Sequence, residues 1–228
     1  MTPFRYDLAV LELFPAVRAA SVAVEGAHPG PATPALTAVH AAAQQEMAAR
    51  LRAEPIAKIP SIAAWRRAFR AFGTDPTQHR SAPESLLRRL DKGHGIPAIN
   101  GLVDAANAVS IRHALPVAVF DVTGLDGTIT VRLATGSEVF VGIGTPEPTH
   151  PDTGEVVFID GGGTVLARRW CWRQSSTAAV STTTTDALFV VEAHHDGSAG
   201  DIAAAAAELE RLVHGHLAPT GVTRTTIR

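Results

Sequence analysis

The sequence predicts an α+β fold, and three observations carry that expectation. Helical patterns fill residues 35–113 and return at 198–216, whereas short apolar or alternating runs crowd the stretch between them. Pro116, with no N–H and a fixed φ, stops one helix and opens into Val117-Ala118-Val119-Phe120, which has the length and β-branching of a buried strand. The 228 residues are 46% hydrophobic, enough to bury a full core as one large domain or two fused halves.

Taken in order, residues 8–13 and 20–24 read as short strands on either side of Phe14-Pro15. A Pro- and Gly-rich loop over 28–34 leads into an Ala-rich helix at 35–52, and a second helix covers 59–72. A third starts at Ser81, whose hydroxyl can cap it while Glu84 reaches back as a capping box. The helix from Asn100 places Asn100, Asp104 and Asn107 within about 40° of one line, opposite Leu102, Ala105, Ala106 and Val109. Long charged side chains suit an exposed helix face better than Asn and Asp do, so this stripe points to a packed polar site; an ordinary solvated face is the alternative.

After the strand at 117–120, Gly124-Leu125-Asp126-Gly127 reads as a turn into 128–133, where Ile129, Val131 and Leu133 alternate. Residues 137–141 read as a further strand, giving a hairpin or meander. A loop over 142–154 precedes a hairpin of 156–159 and 165–167, turned by Gly161-Gly162-Gly163. The four threonines at 182–185 suit a strand, a final helix runs over 198–216, and the chain beyond Pro219 is expected to fray.

Several motifs are set aside on chemical grounds. Asp152-Thr153-Gly154 spells an aspartic-protease triplet, but that chemistry needs two carboxylates sharing a proton and the triplet occurs once. His194 and His195 are adjacent, so in a strand they point to opposite faces and do not readily share an ion with Asp196; no metal and no cofactor are expected. Gly142-Ile143-Gly144 lacks the third glycine and following helix of a dinucleotide loop. The single cysteine, Cys171, excludes an internal disulfide. The expectation is a soluble, cytoplasmic protein without a signal segment or membrane partner.

One ordered set of residues is more specific. Val103-Asp104 and Asn107, Pro116, Phe120-Asp121, Gly127, Ile129, Val131-Arg132, Ala134, Glu138 and Val191-Glu192-Ala193 together resemble the B3/B4 domain of the phenylalanyl-tRNA synthetase β subunit, over roughly residues 60 to 215. Arg168-Arg169-Trp170-Cys171-Trp172-Arg173 and the stretch from Arg80 to Arg89 instead resemble free-standing relatives of that module. The resemblance implies layered, sandwich-like sheets with packed helices. It divides the chain into N-terminal strands and a helix completing the domain (1–58), a B3/B4-like domain (59–217) and a tail (218–228). It also implies editing in trans: an aminoacyl-tRNA deacylase that hydrolyses the ester of a mischarged tRNA, with the amino-acid moiety held in a pocket and no DNA partner.

On that reading Asn107, Asp104, Arg173 and Glu192 bind substrate, with no catalytic residue assigned. The family carries a histidine two positions after the proline matching Pro116 and a threonine before the asparagine matching Asn107; here these are Ala118 and Ala106. In an extended strand Trp170 and Trp172 face one way and Cys171 and Arg173 the other; a buried Arg173 needs a carboxylate, and Glu192 is the first choice. The net charge of −2 argues against strong non-specific nucleic-acid binding, but Arg66, Arg67, Arg70, Arg88 and Arg89 sit in a locally basic segment that suits RNA. A solvated helix pair is the plainer account of that segment. A non-catalytic tRNA- or amino-acid-binding module is the alternative function, with a small-molecule amidase or esterase third.

Overall fold

The computed structural model describes residues 3–28, 30–145 and 147–227, so the loops expected at 28–34 and 142–154 each contain one position, 29 and 146, outside the described residues. In chain order the elements are β1 (Phe4–Tyr6), α1 (Leu8–Leu13), β2 (Arg18–Glu25), α2 (Pro34–Leu51), a 3-10 turn at Ile56–Lys58, α3 (Pro60–Ala71), α4 (Ala82–Asp91) and α5 (Gly101–His113). Then come β3 (Val117–Asp121), β4 (Ile129–Leu133), β5 (Val156–Ile159), β6 (Val165–Arg168), β7 (Arg173–Gln174), β8 (Ala187–Ala193), α6 (Ser198–His216) and β9 (Gly221–Ile227). The expected α+β class holds.

The strands form a four-stranded sheet, β3-β8-β2-β9, and a five-stranded sheet, β1-β4-β5-β6-β7. The smaller sheet is the middle layer. One face packs on α5 and α6 through Val22, Val24, Phe189 and Val191, against Val109, Leu209 and Val213, and α2 lies on α5 and extends the same core through Leu36. Its other face packs on the larger sheet and α3 through Ala23, Phe120, Leu188 and Val190, against Val131, Phe158, Leu166 and Trp65. Burial on both faces explains why β8 reads as a nearly unbroken apolar run rather than an alternating one.

Five local expectations are corrected. Residues 8–13 form helix α1, because the Asp7 carboxylate accepts the Ala9 N–H and caps a helix start. β3 and β4 make no hairpin: β3 pairs with β8, whereas β4 pairs in parallel with β1 and antiparallel with β5. Residues 137–141 form no strand beyond a single bridge from Phe140 to Thr149; Glu138 turns back to accept the N–H groups of Thr135 and Gly136 and the Arg132 guanidinium. Burial raises the Glu138 pKa, but those donors outweigh it and hold it down to about 2. The threonines at 182–185 form a hydroxyl-bonded turn, in which the Thr184 Oγ1 accepts the Ser181 N–H and donates to Asp121. The end expected to fray is β9, paired with β2 from Ala19↔Ile227 to Glu25↔Gly221.

The turn that feeds β9's register tolerates little change. Gly26 has φ +59°, and a Cβ there would lie 2.4 Å from the Thr220 Oγ1. Gly26→Ala is therefore expected to lower stability by about 2 kcal/mol, from left-handed strain plus the contact. A urea titration checks this, and removing the hydroxyl in Gly26→Ala/Thr220→Ala should recover only the steric share.

Candidate functional site

The period-2 alternation of β8 places Glu192 between the sheets. Ala187, Phe189, Val191 and Ala193 enter the helical core, and Leu188 and Val190 enter the inter-sheet core. Glu192 falls in the second register and is 1% exposed. A buried carboxyl needs donors, and two aromatic side chains supply them. The Tyr6 hydroxyl donates to Oε1 at 2.6 Å and the Trp170 indole N–H donates to the same oxygen at 2.8 Å. Burial nonetheless dominates and raises the Glu192 pKa to about 7 against the pull of both donors. Burial, followed by the charge of Glu192, pushes the neighbouring Cys171 thiol and Tyr6 phenol well above their ordinary values.

Beside Glu192 lies a cavity of about 90 Å³. Pro116, Ala118 and Phe120 from the β3 segment form one wall, and Phe158 of β5 and Ala167 of β6 another. The turn from Trp170 to Gln174 closes it, with Ala82 at the start of α4 behind. That turn is not extended: Arg169 and Trp170 adopt φ of +44° and +62°, which breaks the expected alternation and buries Trp170 while Trp172 stays half-buried. Glu155 holds the turn. Its carboxylate takes Arg168 Nε at 3.0 Å and Nη2 at 2.8 Å, and Oε1 also accepts the Arg169 backbone N–H at 2.8 Å. The Gln174 amide donates to Val119 and Ala178 carbonyls at 2.7 and 3.1 Å, tying the edge of one sheet to the other. The Ala82 N–H donates to the Cys171 carbonyl at 2.8 Å, fixing α4 to the same turn.

Arg173 lines this cavity with Glu192, but the expected ion pair between them is absent: Glu192 is satisfied by neutral donors, and Arg173 is exposed. Its guanidinium lies 4.7 Å from the Trp172 ring centroid, as does that of Arg169, so the indole at the cavity is flanked by two cations. An exposed cation on an aromatic face keeps its hydration, which burial beside a half-ionised carboxyl would remove.

The other predicted site residues lie elsewhere. Asn100 is the N-cap of α5 and accepts the Val103 N–H; Asp104 is fully buried and accepts the Ile99 N–H at 2.8 Å. Two members of the short polar stripe thus serve the helix start, and Asn107, half-buried, is not among the cavity's lining. Arg67, Arg70 and Arg89 are exposed. Arg66 and Arg88 both donate to Oε1 of the fully buried Glu84, at 2.6 and 2.9 Å, and this replaces the expected capping box: the Ser81 hydroxyl makes no cap bond. His194 sits in an aromatic cluster, 4.4 Å from Trp65 and 4.8 Å from Trp170, where burial lowers its pKa to about 3. His195 bonds Asp201.

Sequence reasoning missed Tyr6, Phe158 and Gln174 as parts of the site. The one usable signal was Glu192 itself, a lone carboxyl in a seven-residue apolar strand, which demands buried donors; Tyr6 is the only tyrosine in the chain. Replacing it tests the network: Tyr6→Phe is expected to raise the Glu192 pKa further and cost about 1–3 kcal/mol, read from NMR titration and thermal unfolding.

No curated protein sequence matches the chain significantly. Among solved structures it is similar to an N-terminal fragment of the phenylalanyl-tRNA synthetase β subunit from Pyrococcus horikoshii, at 13% identity and a TM-score of 0.47, covering 99% of this chain and 54% of that one. The chain thus spans about half the length of that fragment. The profile of the B3/4 domain family matches residues 64–216, from within α3 to the end of α6, which includes β3, β8 and the turn that together enclose the cavity. With that match over more than half its length, the chain belongs to the B3/4 domain family.

Proposed function

We propose that this protein acts on aminoacyl-tRNA, hydrolysing the ester between an incorrectly attached amino acid and the terminal ribose. The observation that carries the reading is the cavity: small, walled by aromatic and aliphatic groups, and holding one buried carboxyl, Glu192, beside one exposed guanidinium, Arg173. Such a site suits the amino-acid end of a larger ligand. Support comes from the B3/4 domain match over residues 64–216, the domain whose motifs this sequence resembles in a tRNA synthetase.

The chemistry asks little of the protein. An aminoacyl ester is already activated, so a positioned water suffices: its oxygen bonds to the carbonyl carbon, the ester C–O bond breaks, and a proton passes to the departing ribose oxygen. Ionised Glu192 receives the substrate ammonium, and Arg173 at the mouth faces the carbonyl or an adjacent phosphate. Arg66, Arg67, Arg70, Arg88 and Arg89 contact RNA, with Arg66 and Arg88 held in place by Glu84. Asp104 orders the start of α5 by accepting the Ile99 N–H, and neither it nor Asn107 lines the cavity.

A panel of tRNAs charged with correct and incorrect labelled amino acids tests this, using wild type and Glu192→Ala. Selective release is expected, at least tenfold slower in the variant, with turnover in wild type rising as pH passes through about 7 and Glu192 ionises. No release from any charged tRNA sinks the hydrolase reading. One observation favours the non-catalytic alternative in that event: Ala118, where the resembling synthetases carry histidine, lines the cavity with a methyl group. Binding of charged or uncharged tRNA without turnover would then be the result.

A further inference from the structure

A second concavity lies beside the first. Arg80, Ser85, Arg88, Arg89, Lys92 and His94 line a groove of about 430 Å³. Ser85, Arg88, Arg89 and Lys92 fall at i, i+3, i+4 and i+7 on α4 and its C-cap, which is one helix face. Like charges at this spacing repel, so Arg88 and Lys92 oppose each other without a ligand. The helix dipole accounts for cations at the C-terminal end of α4, but not for Arg80, which precedes the N-terminal end where a cation is unfavourable. No carboxylate is among the lining residues. Glu84 offsets part of the charge from beneath, holding Arg88 at 2.9 Å, and the Arg89 Nε is fixed on the Gly95 carbonyl at 2.8 Å. The Arg80 Nε is buried and has no protein partner among the described residues.

We propose that this groove seats the phosphodiester backbone of single-stranded RNA adjoining the residue whose ester enters the cavity. The proposal rests on the aminoacyl-tRNA reading above. Position supplies the link: Arg80 lines the groove, and Ala82, two residues on, lines the cavity and bonds the Cys171 carbonyl of its closing turn. A strand ending in the cavity therefore meets the groove within a few nucleotides. Several cations along one helix face suit successive phosphates better than a single anion, and forked guanidiniums with one hydroxyl match phosphate oxygens. The neutral-to-acidic remainder of the chain limits how far non-specific attraction alone would hold the RNA.

The test uses the full chain and a labelled single-stranded RNA of about ten nucleotides, with anisotropy titrations across a salt series. Arg80→Gln/Lys92→Gln is expected to weaken binding about tenfold and to lower the slope of log K against log salt by about 1.4, at about 0.7 per phosphate lost. Arg80→Lys should recover most of the affinity, and Arg224→Gln, one charge removed on β9, should leave affinity and slope within error. Circular dichroism confirms that each variant is folded. If RNA binding persists with unchanged affinity and slope in the double variant, the groove proposal fails while the aminoacyl-tRNA reading stands. If Arg224→Gln weakens binding as much per charge, the effect is net charge and the proposal also fails. If polyglutamate binds with the same dependence on Arg80 and Lys92 as RNA does, the groove is an acidic-protein site instead. If wild type neither binds RNA nor deacylates any charged tRNA, the underlying reading fails, and the groove proposal with it.

Discussion

Relative to wild type, Glu192→Gln is expected to gain about 3 kcal/mol of stability between pH 4 and pH 8. The Glu192 pKa rises from 4.5 to about 7 on folding, chiefly through burial. A raised acid pKa means that the folded state binds the proton more tightly than the unfolded state. Its contribution is therefore fully present below pH 4.5 and is lost as pH rises through 7. The shift corresponds to about 3 kcal/mol at about 1.4 kcal/mol per unit. Glutamine cannot ionise, yet its carbonyl oxygen can still accept from Tyr6 and Trp170, so the variant isolates charge from packing. Other groups impose their own pH dependence on both proteins; the difference between the two curves is the measurement. Denaturant titrations at a series of pH values provide it. Parallel curves would show that the carboxyl titrates as it does in water and would remove the pH argument for its role in the cavity.

The second large effect is expected away from the cavity. Glu155→Ala should cost about 3–5 kcal/mol, because Arg168 stays buried with its bidentate partner gone. For a chain of this size that is a fall in melting temperature of roughly 10 °C. It also frees the Arg169 N–H and with it the turn that walls the cavity, so the proposed activity on charged tRNA should fall further than the stability loss explains. Replacing both partners, as in Glu155→Leu/Arg168→Met, removes the unpaired charge and should return part of the stability but not the turn. A double-mutant cycle at these positions, measured by thermal unfolding and by turnover, separates the two. Equal loss in the double and the single variant would show that the pair's charge is not what sets the cost.

The larger elements were legible because their patterns are local. The 3.6-residue pattern and Pro116 announce α5 and its end, and the Ala-rich runs announce α2 and α6. Sheet membership was not legible. β3 and β4 are consecutive and both apolar, and only the distant partners β8 and β1 decide that they separate. At the site, Glu192 and Arg173 could be read as cavity residues from the resemblance, but their relation could not. That depends on Tyr6, whose strand is three residues long, and on two positive φ values at Arg169 and Trp170 that no propensity favours. The polar stripe of α5 is packed, as its short amide and carboxyl groups implied, with Asn100 and Asp104 buried; the sequence did not show that Asn100 spends its side chain on beginning the helix.

The middle position of β2 has a consequence for how the molecule is made. β2 lies between β8 and β9, strands that leave the ribosome long after it. Until residues 187–193 emerge, Val22 and Val24 have no sheet to join, and although α2 and α5 can already pack on each other, the side of α5 that rests on the sheet stays open. Contacts this remote along the chain are closed slowly. The nascent protein therefore carries the sheet side of its largest core open through most of synthesis, until one seven-residue strand arrives to join it.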